Sequence, residues 1–511
     1  MISMSEIRVG YSALISLVIG LASTIIGMVF VLIITRTVTP LDYGSWGLIS
    51  GFLLYAGVVE PIISVWVLRE IARGKDSGKT AVLSSGLFSI IGISIYLLVV
   101  FFIGPQTDAT QNLLYFGVIL IPTIFLNRIL TAINSAWKPQ AASYGQLIFG
   151  ITEVIVALVL VYFLNLGLMG IILSITSAFL LSSLTQIIFG RNKLKAHFQI
   201  QYLKKWIKLS WLALFPTLSG AIIYFDIVIF SIITGSVIGL AYWSAAFAIT
   251  GMITGISLIT RPTYSKLLFE GEGKNFLSEN LRQLFYFGIP VVSLIIVFAK
   301  PGIFILNPIY ELAVPIVIIL SIQVFLGVLN RNFQELITGV EKVDVEKNAT
   351  LKNFLKSNLF LMPTILLIKN SSYVILLAVG MSFFISETLF EQLMFWALLS
   401  LFVQTPFTIY VYLLMKKELD VSICSNNISK YIIASIGSFG FTYLLMENYL
   451  TYSNDIFILI PNVLIYAIIG IFVYVFTTYI IDHKTRVLIK YIFNSLIDVS
   501  ILTFINIFSV R

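Results

Sequence analysis

The stretch Ile33–Ser45 reads IITRTVTPLDYGS, and Ile232–Ser244 reads IITGSVIGLAYWS. At a shift of 199 positions (33 to 232) they share Ile33/Ile232, Ile34/Ile233, Thr35/Thr234, Val38/Val237, Leu41/Leu240, Tyr43/Tyr242 and Ser45/Ser244. The same shift aligns Gly74-Lys75 with Gly273-Lys274, and the triplet LNR at 126–128 returns at 329–331. Matches in one order, at a nearly constant shift, mark an internal repeat. The nature of the repeated unit follows from what lies between the matches.

Those intervals are apolar. The chain has 511 residues, of which 59% are hydrophobic and 11% charged, and its mean hydropathy is +1.00. Soluble domains carry about a quarter charged residues. Apolar runs long enough to cross a hydrocarbon core as helices recur from end to end. Lipid offers no partner for backbone groups, so helices are the expected spanning form. Barrel strands would alternate with period two in shorter segments. We count about 14 spans, near 12–35, 44–68, 80–103, 112–136, 142–165, 167–190, 209–234, 237–260, 284–307, 311–338, 356–384, 392–415, 430–450 and 456–481. The eleventh is the weakest: LIKNSSY interrupts it, which reads as a shorter helix followed by an interfacial piece. The apolar run after MISMSEIRVG is longer than a signal-peptide core and reads as a retained first span.

Lys and Arg concentrate on one side of this map. All but five of the 32 basic residues fall there, the exceptions being Arg36, Arg128, Lys300, Arg331 and Lys369. The positive-inside rule makes that side cytoplasmic and puts both termini there, in a multi-pass protein of the cell membrane. The net charge of +8 then answers to this rule and to anionic membrane lipids, and nucleic acid is not an expected partner. Trp137, Trp211 and Trp243 near span ends read as an aromatic belt.

The repeat turns the map into an architecture. Six spans per unit is an even number, so both units enter the membrane alike, as parallel repeats do. The fold class expected is all-α integral membrane, with two parallel-repeat six-helix bundles around a central cavity plus two extra helices. The boundaries are an N-terminal lobe at 1–190, a cytoplasmic basic linker at 191–208, a C-terminal lobe at 209–418, spans 13–14 at 419–483, and a cytoplasmic interfacial helix at 484–511, preferred to a fifteenth span.

Several functions are excluded or weakened. Cys424 is the single cysteine, and His197 and His483 are the two histidines, so cysteine metal clusters, zinc sites and Ser-His-Asp catalysis lack their residues. No cofactor is expected. Loops on the side opposite the basic residues are short, with Asp108, Glu311 and Asp455 scattered singly. A membrane glycosyltransferase or polymerase would need more there, so an enzyme is not expected.

The charges inside the spans carry the functional reading. Arg128 and Arg331, each preceded by asparagine (Asn127, Asn330), lie on the fourth span of each lobe. A long stem can lift an arginine to the interface. Alternatively, the two line a cytoplasm-facing cavity and bind phosphate through paired hydrogen bonds. Asn127, Asn330 and Arg36 join them as substrate-binding candidates, with Arg36 equally readable as a helix end. An intramembrane carboxylate is a functional candidate by default, which makes Asp226, in YFDIVIF, the leading residue for proton or ion coupling. Glu60, before Pro61, is a second, and a plain kink is its structural alternative. Glu153 is a third, with a salt bridge to Arg128 as the structural alternative. Glu335 sits four residues after Arg331 and is expected to pair with it.

The stretches ITRTVTPLDYGSWGLI at 34–49, REIARGK at 69–75, GQLIFGITEVIVALVLVYFLNLGLMGIILS at 145–174 and YFDIVIFSIITGSVIGLAYWSAAFAIT at 224–250 resemble polysaccharide flippases of the Wzx type. These belong to the multidrug/oligosaccharidyl-lipid/polysaccharide transporter superfamily. The resemblance covers spans 1 to 10 and fades in 357–391, where Lys369 and Glu387 depart from the pattern. It implies alternating access and a lipid-linked glycan on a polyprenyl or dolichyl phosphate or pyrophosphate. It also implies glycosyltransferases or a polymerase of the same pathway as partners, and a monomeric chain. Cavity arginines that receive the anionic headgroup match Arg128 and Arg331 by chemistry. A cation-coupled antiporter of the same superfamily is the alternative, and it would give Asp226 the leading role.

Overall fold

The computed structural model describes residues 4–259, 274–341, 353, 355–383, 388–421 and 425–489. Gly273, Glu387, Cys424 and the tail beyond Ile489, including most of the expected interfacial helix, lie outside them. Every regular element among the described residues is helical, as lipid requires. In chain order the main helices are α1 (Met4–Thr37), α2 (Pro40–Val59), α3 (Pro61–Ala72), α4 (Gly78–Gln106), α5 (Gln111–Trp137), α6 (Pro139–Phe163), α7 (Gly167–Leu194), α8 (Ile200–Lys208), α9 (Ser210–Thr234), α10 (Ile238–Ser257), α11 (Leu277–Val297), α12 (Pro308–Gly339), α13 (Asn358–Phe383), α14 (Leu389–Leu419), α15 (Asn426–Tyr449) and α16 (Ile456–Ile481). Twelve of these are long and apolar enough to cross a membrane. The α2–α3 pair makes a thirteenth if counted as one broken span. With α1, whose stretch Ala22–Thr37 is apolar, each of the expected spans finds a helix.

Two features depart from expectation. The eleventh span does not break at LIKNSSY, since α13 runs unbroken through it for 26 residues. Asn370, inside that motif, instead turns its polarity inward, and its Nδ2 donates to the Ser219 carbonyl at 2.7 Å. The second span does break. Pro61 has no N–H to continue the helix, and α2 and α3 meet at 56° around Glu60.

The helices pack into two compact units. One comprises Met1–Met252, Leu306–Gln323 and Glu341–Phe407, and the other Ile253–Ile305, Val324–Val340 and Thr408–Arg511.

Within the first unit, the two turns of the repeat lie together. Thr39 caps α2 by accepting from the Asp42 N–H at 3.2 Å, with Pro40 in the first turn. Val237 precedes α10, and its carbonyl oxygen occupies the place a β-carbon on Gly44 would take. Tyr43 and Tyr242, equivalent in the repeat, pack edge-on against Tyr310, with centroids 6.0 and 5.4 Å away. Asp108 is not idle here. It accepts from Ser236 Oγ and from the Val237 N–H, each at 2.7 Å. Thr35 closes the group, its carbonyl accepting from Asn307 Nδ2 at 2.7 Å and its hydroxyl donating to the Leu306 carbonyl at 3.2 Å.

Residues 191–208 form a pinned strap. Lys193 pairs with Asp76 at 3.1 Å, the Gln199 N–H donates to Thr80 Oγ1 at 3.0 Å, and Lys205 pairs with Glu70 at 2.8 Å. Trp206 of α8 is fully buried among Ile62, Val67, Ile71, Ala81 and Ile129.

In the second unit, α15 and α16 are tied to α11 by a polar cluster. Arg282 bonds Glu279 at 2.9 Å and donates to the Tyr431 hydroxyl at 2.6 Å, and that hydroxyl donates to Asp482 at 2.8 Å.

Candidate functional site

The break in the second span sets the site. Because α2 stops at Val59 and α3 restarts at Pro61, Glu60 is held at a bend inside the first unit. Its side chain is 4% exposed, and its Oε1 accepts no hydrogen bond. Arg128 of α5 faces this bend. A β-carbon on Gly57 would stand 3.2 Å from Arg128 Nη1, and the guanidinium acts electrostatically on the Glu60 carboxylate and on Tyr224. The two charges nevertheless form no ion pair, and Arg128 donates no hydrogen bond among the described residues. Glycine at 57 leaves the room the guanidinium needs.

Tyr224 links this pair to a second group, because Asp226 acts on it too. The Asp226 side chain is 8% exposed. Its Oδ1 accepts from the N–H of Ile227 at 2.7 Å and its Oδ2 from the Tyr373 hydroxyl at 3.0 Å. That hydroxyl accepts from Trp396 Nε1 at 2.7 Å. Trp396 lies parallel to Trp243 at 3.8 Å and stacks on Phe230 at 4.7 Å. Trp243 therefore packs within the bundle, and its place near a span end reflects this stack. Tyr373 on α13, itself held by Trp396 on α14, thus links the Asp226 carboxylate on α9 to two further helices. Tyr55 is also within electrostatic reach of Asp226, and its buried hydroxyl has no partner.

Other candidates sit differently. Asn127 Nδ2 donates to Ser182 Oγ at 2.8 Å, which fixes α5 on α7. Glu153 is buried and makes no ion pair with Arg128 among the described residues, so the salt bridge weighed from sequence is absent. Arg36 ends α1. In the second unit, Arg331 pairs with Glu335 at 3.2 Å, as the i,i+4 spacing predicts. Asn330 is buried and accepts from Gln334 at 3.2 Å.

Sequence reading missed Tyr55, Tyr224, Tyr373 and Trp396, because aromatics abound in apolar spans and only the fold shows which ones meet a carboxylate. Lys369 was visible as a charge in the eleventh span, and its Nζ donates to Gln404 at 2.9 Å.

The arrangement has the fold of known membrane transporters. No family model matches the sequence, and no curated protein matches it. Among solved structures, the chain is similar to the lipid II flippase MurJ in its inward closed conformation. The TM-score is 0.67 at 18% identity, over 92% of this chain and 99% of that one. It is also similar to MATE in the straight conformation, with a TM-score of 0.52 at 13% identity over 81% and 96% of the two chains. An outward-facing multidrug resistance MATE family transporter of the MOP superfamily gives 0.50 at 14% identity, over 80% and 95%. The chain is thus a multi-pass membrane protein with the fold that MurJ and the MATE transporters share.

Proposed function

We propose that the protein is a flippase that moves a lipid-linked glycan, on a polyprenyl or dolichyl phosphate or pyrophosphate, from the cytoplasmic to the outer leaflet. The observation that carries this reading is Arg128. It is a guanidinium within a membrane span that faces a helix break and Tyr224 and donates no hydrogen bond among the described residues. Ionisable groups in spans are expensive and mark pathways, and a guanidinium offers paired donors that match phosphate. The lobes at 1–190 and 209–418 would alternate access, with the termini in the cytoplasm and the chain acting as a monomer beside the glycosyltransferases or polymerase of its pathway. Arg331, with Asn330, is a second contact. It pairs with Glu335 at 3.2 Å, and an incoming anion would compete with that carboxylate for the guanidinium. Asn127 and Arg36 complete the substrate set, and Asp226, Glu60 and Glu153 are the coupling candidates.

A cation-coupled antiporter is the second reading, favoured by one observation, the buried Asp226 carboxylate. Purified protein in vesicles, loaded with a fluorescent prenyl-phosphate glycan and quenched from outside, separates the two. A flippase exposes the inner-leaflet probe with time. Exposure no faster than in protein-free vesicles, together with exchange of an organic cation for protons or sodium, would favour the antiporter.

A further inference from the structure

Glu60 and Arg128 present opposite charges that approach but do not meet. Glu60 Oε1 is buried and unpartnered, in a side chain 4% exposed, and Arg128 Nη1 lies by Gly57, three residues earlier on the same broken span. A buried acceptor left without a donor is costly, and more so when charged. The 56° break at Pro61 fixes Glu60 in this position, and an ion pair with Arg128, the simplest way to satisfy it, is not made. Side by side, the two suit a group with an anion on one side and a hydrogen-bond donor on the other.

We propose that Glu60 and Arg128 form one subsite for a sugar attached through phosphate. Arg128 holds the phosphate, and Glu60 Oε1 accepts from a hydroxyl or amide N–H of the first sugar. The subsite rests on the flippase reading and gives it specificity: a prenyl phosphate without its sugar satisfies Arg128 and leaves Glu60 Oε1 without a donor, Ser64 being the carboxyl's one side-chain hydrogen-bond partner among the described residues. Discrimination of this kind is strong, because the penalty falls on a buried polar group.

The test uses full-length protein in detergent and two probes, farnesyl phosphate and farnesyl phosphoryl-glucose. Wild type should bind the glucose-bearing probe about tenfold more tightly, the effect of one hydrogen bond to a charged acceptor. Glu60→Leu should erase that preference and bind bare farnesyl phosphate at least as well as wild type, since a repelling carboxylate is gone. Should Glu60→Leu melt early, Glu60→Gln decides. Its amide oxygen is neutral and so a weaker acceptor than a carboxylate, so a reduced preference supports the subsite and an undiminished one contradicts it. Equal binding of both probes by wild type overturns the subsite alone. Binding of neither overturns the flippase reading as well.

Discussion

The Val237 carbonyl oxygen lies where a β-carbon on Gly44 would have to be. Val237 is the repeat counterpart of Val38, so this approach joins the turn of one repeat to the turn of the other. Backbone against backbone leaves no flexible atom to give way. Gly44→Ala should therefore lose about 1–3 kcal/mol, as overpacked sites do. A fall in melting temperature in detergent checks it, and an unchanged melt would mean the turns separate without penalty.

Trp206 fills the contact between the basic strap and the ends of α3 and α5. Trp206→Ala should cost about 3–5 kcal/mol. Asp76→Asn should cost far less, because Asp76 is 62% exposed in its pair with Lys193 of the strap and such pairs contribute ~1 kcal/mol or less. Thermal melts of the two variants give the ranking. The reverse order would show the strap held by charge.

Asp226 accepts from Tyr373, which accepts from Trp396. Asn at 226 keeps an acceptor for Tyr373 and removes the charge. Asp226→Asn should insert and fold yet lose the response of transport to an imposed proton or sodium gradient. An unaltered response would reduce the Asp226 group to a structural clasp.

Asp482 lies just beyond α16. Burial raises its carboxyl, but hydrogen bonds from Thr485 and Tyr431 and the charge of Arg282 outweigh that and hold it below the ordinary carboxylate range. A lowered folded value contributes stability that is present above the unfolded value, about 3.9, and lost as pH falls through the folded one. Asp482→Asn should lower the melt at neutral pH and narrow its gap from wild type as pH falls below about 4. A gap constant with pH would contradict the assignment.

Much of this was legible in the sequence. Hydropathy located the spans because lipid forces long apolar helices, and the 199-position shift (33 to 232) located two turns that touch. Arg128, Glu60 and Asp226 were legible because charge is rare in spans. Their partners were not. Helical spacing predicts contacts within one element, as with Arg331 and Glu335, but the meeting of α9 with α13 and α14 depends on tertiary packing. The same limit explains Glu153: α5 and α6 do pack together, but helix adjacency does not set which side chains meet, and Glu153 and Arg128 form no ion pair among the described residues. LIKNSSY misled because polar residues that look like a break become tolerable once Asn370 finds the Ser219 carbonyl.

Flipping by Arg128→Ala, measured in vesicles with a fluorescent prenyl-phosphate glycan and corrected for inserted protein, decides whether Arg128 receives the headgroup. A rate at least tenfold below wild type is expected, with Arg128→Lys between them because an ammonium lacks the paired donors. Wild-type flipping by Arg128→Ala would contradict that role.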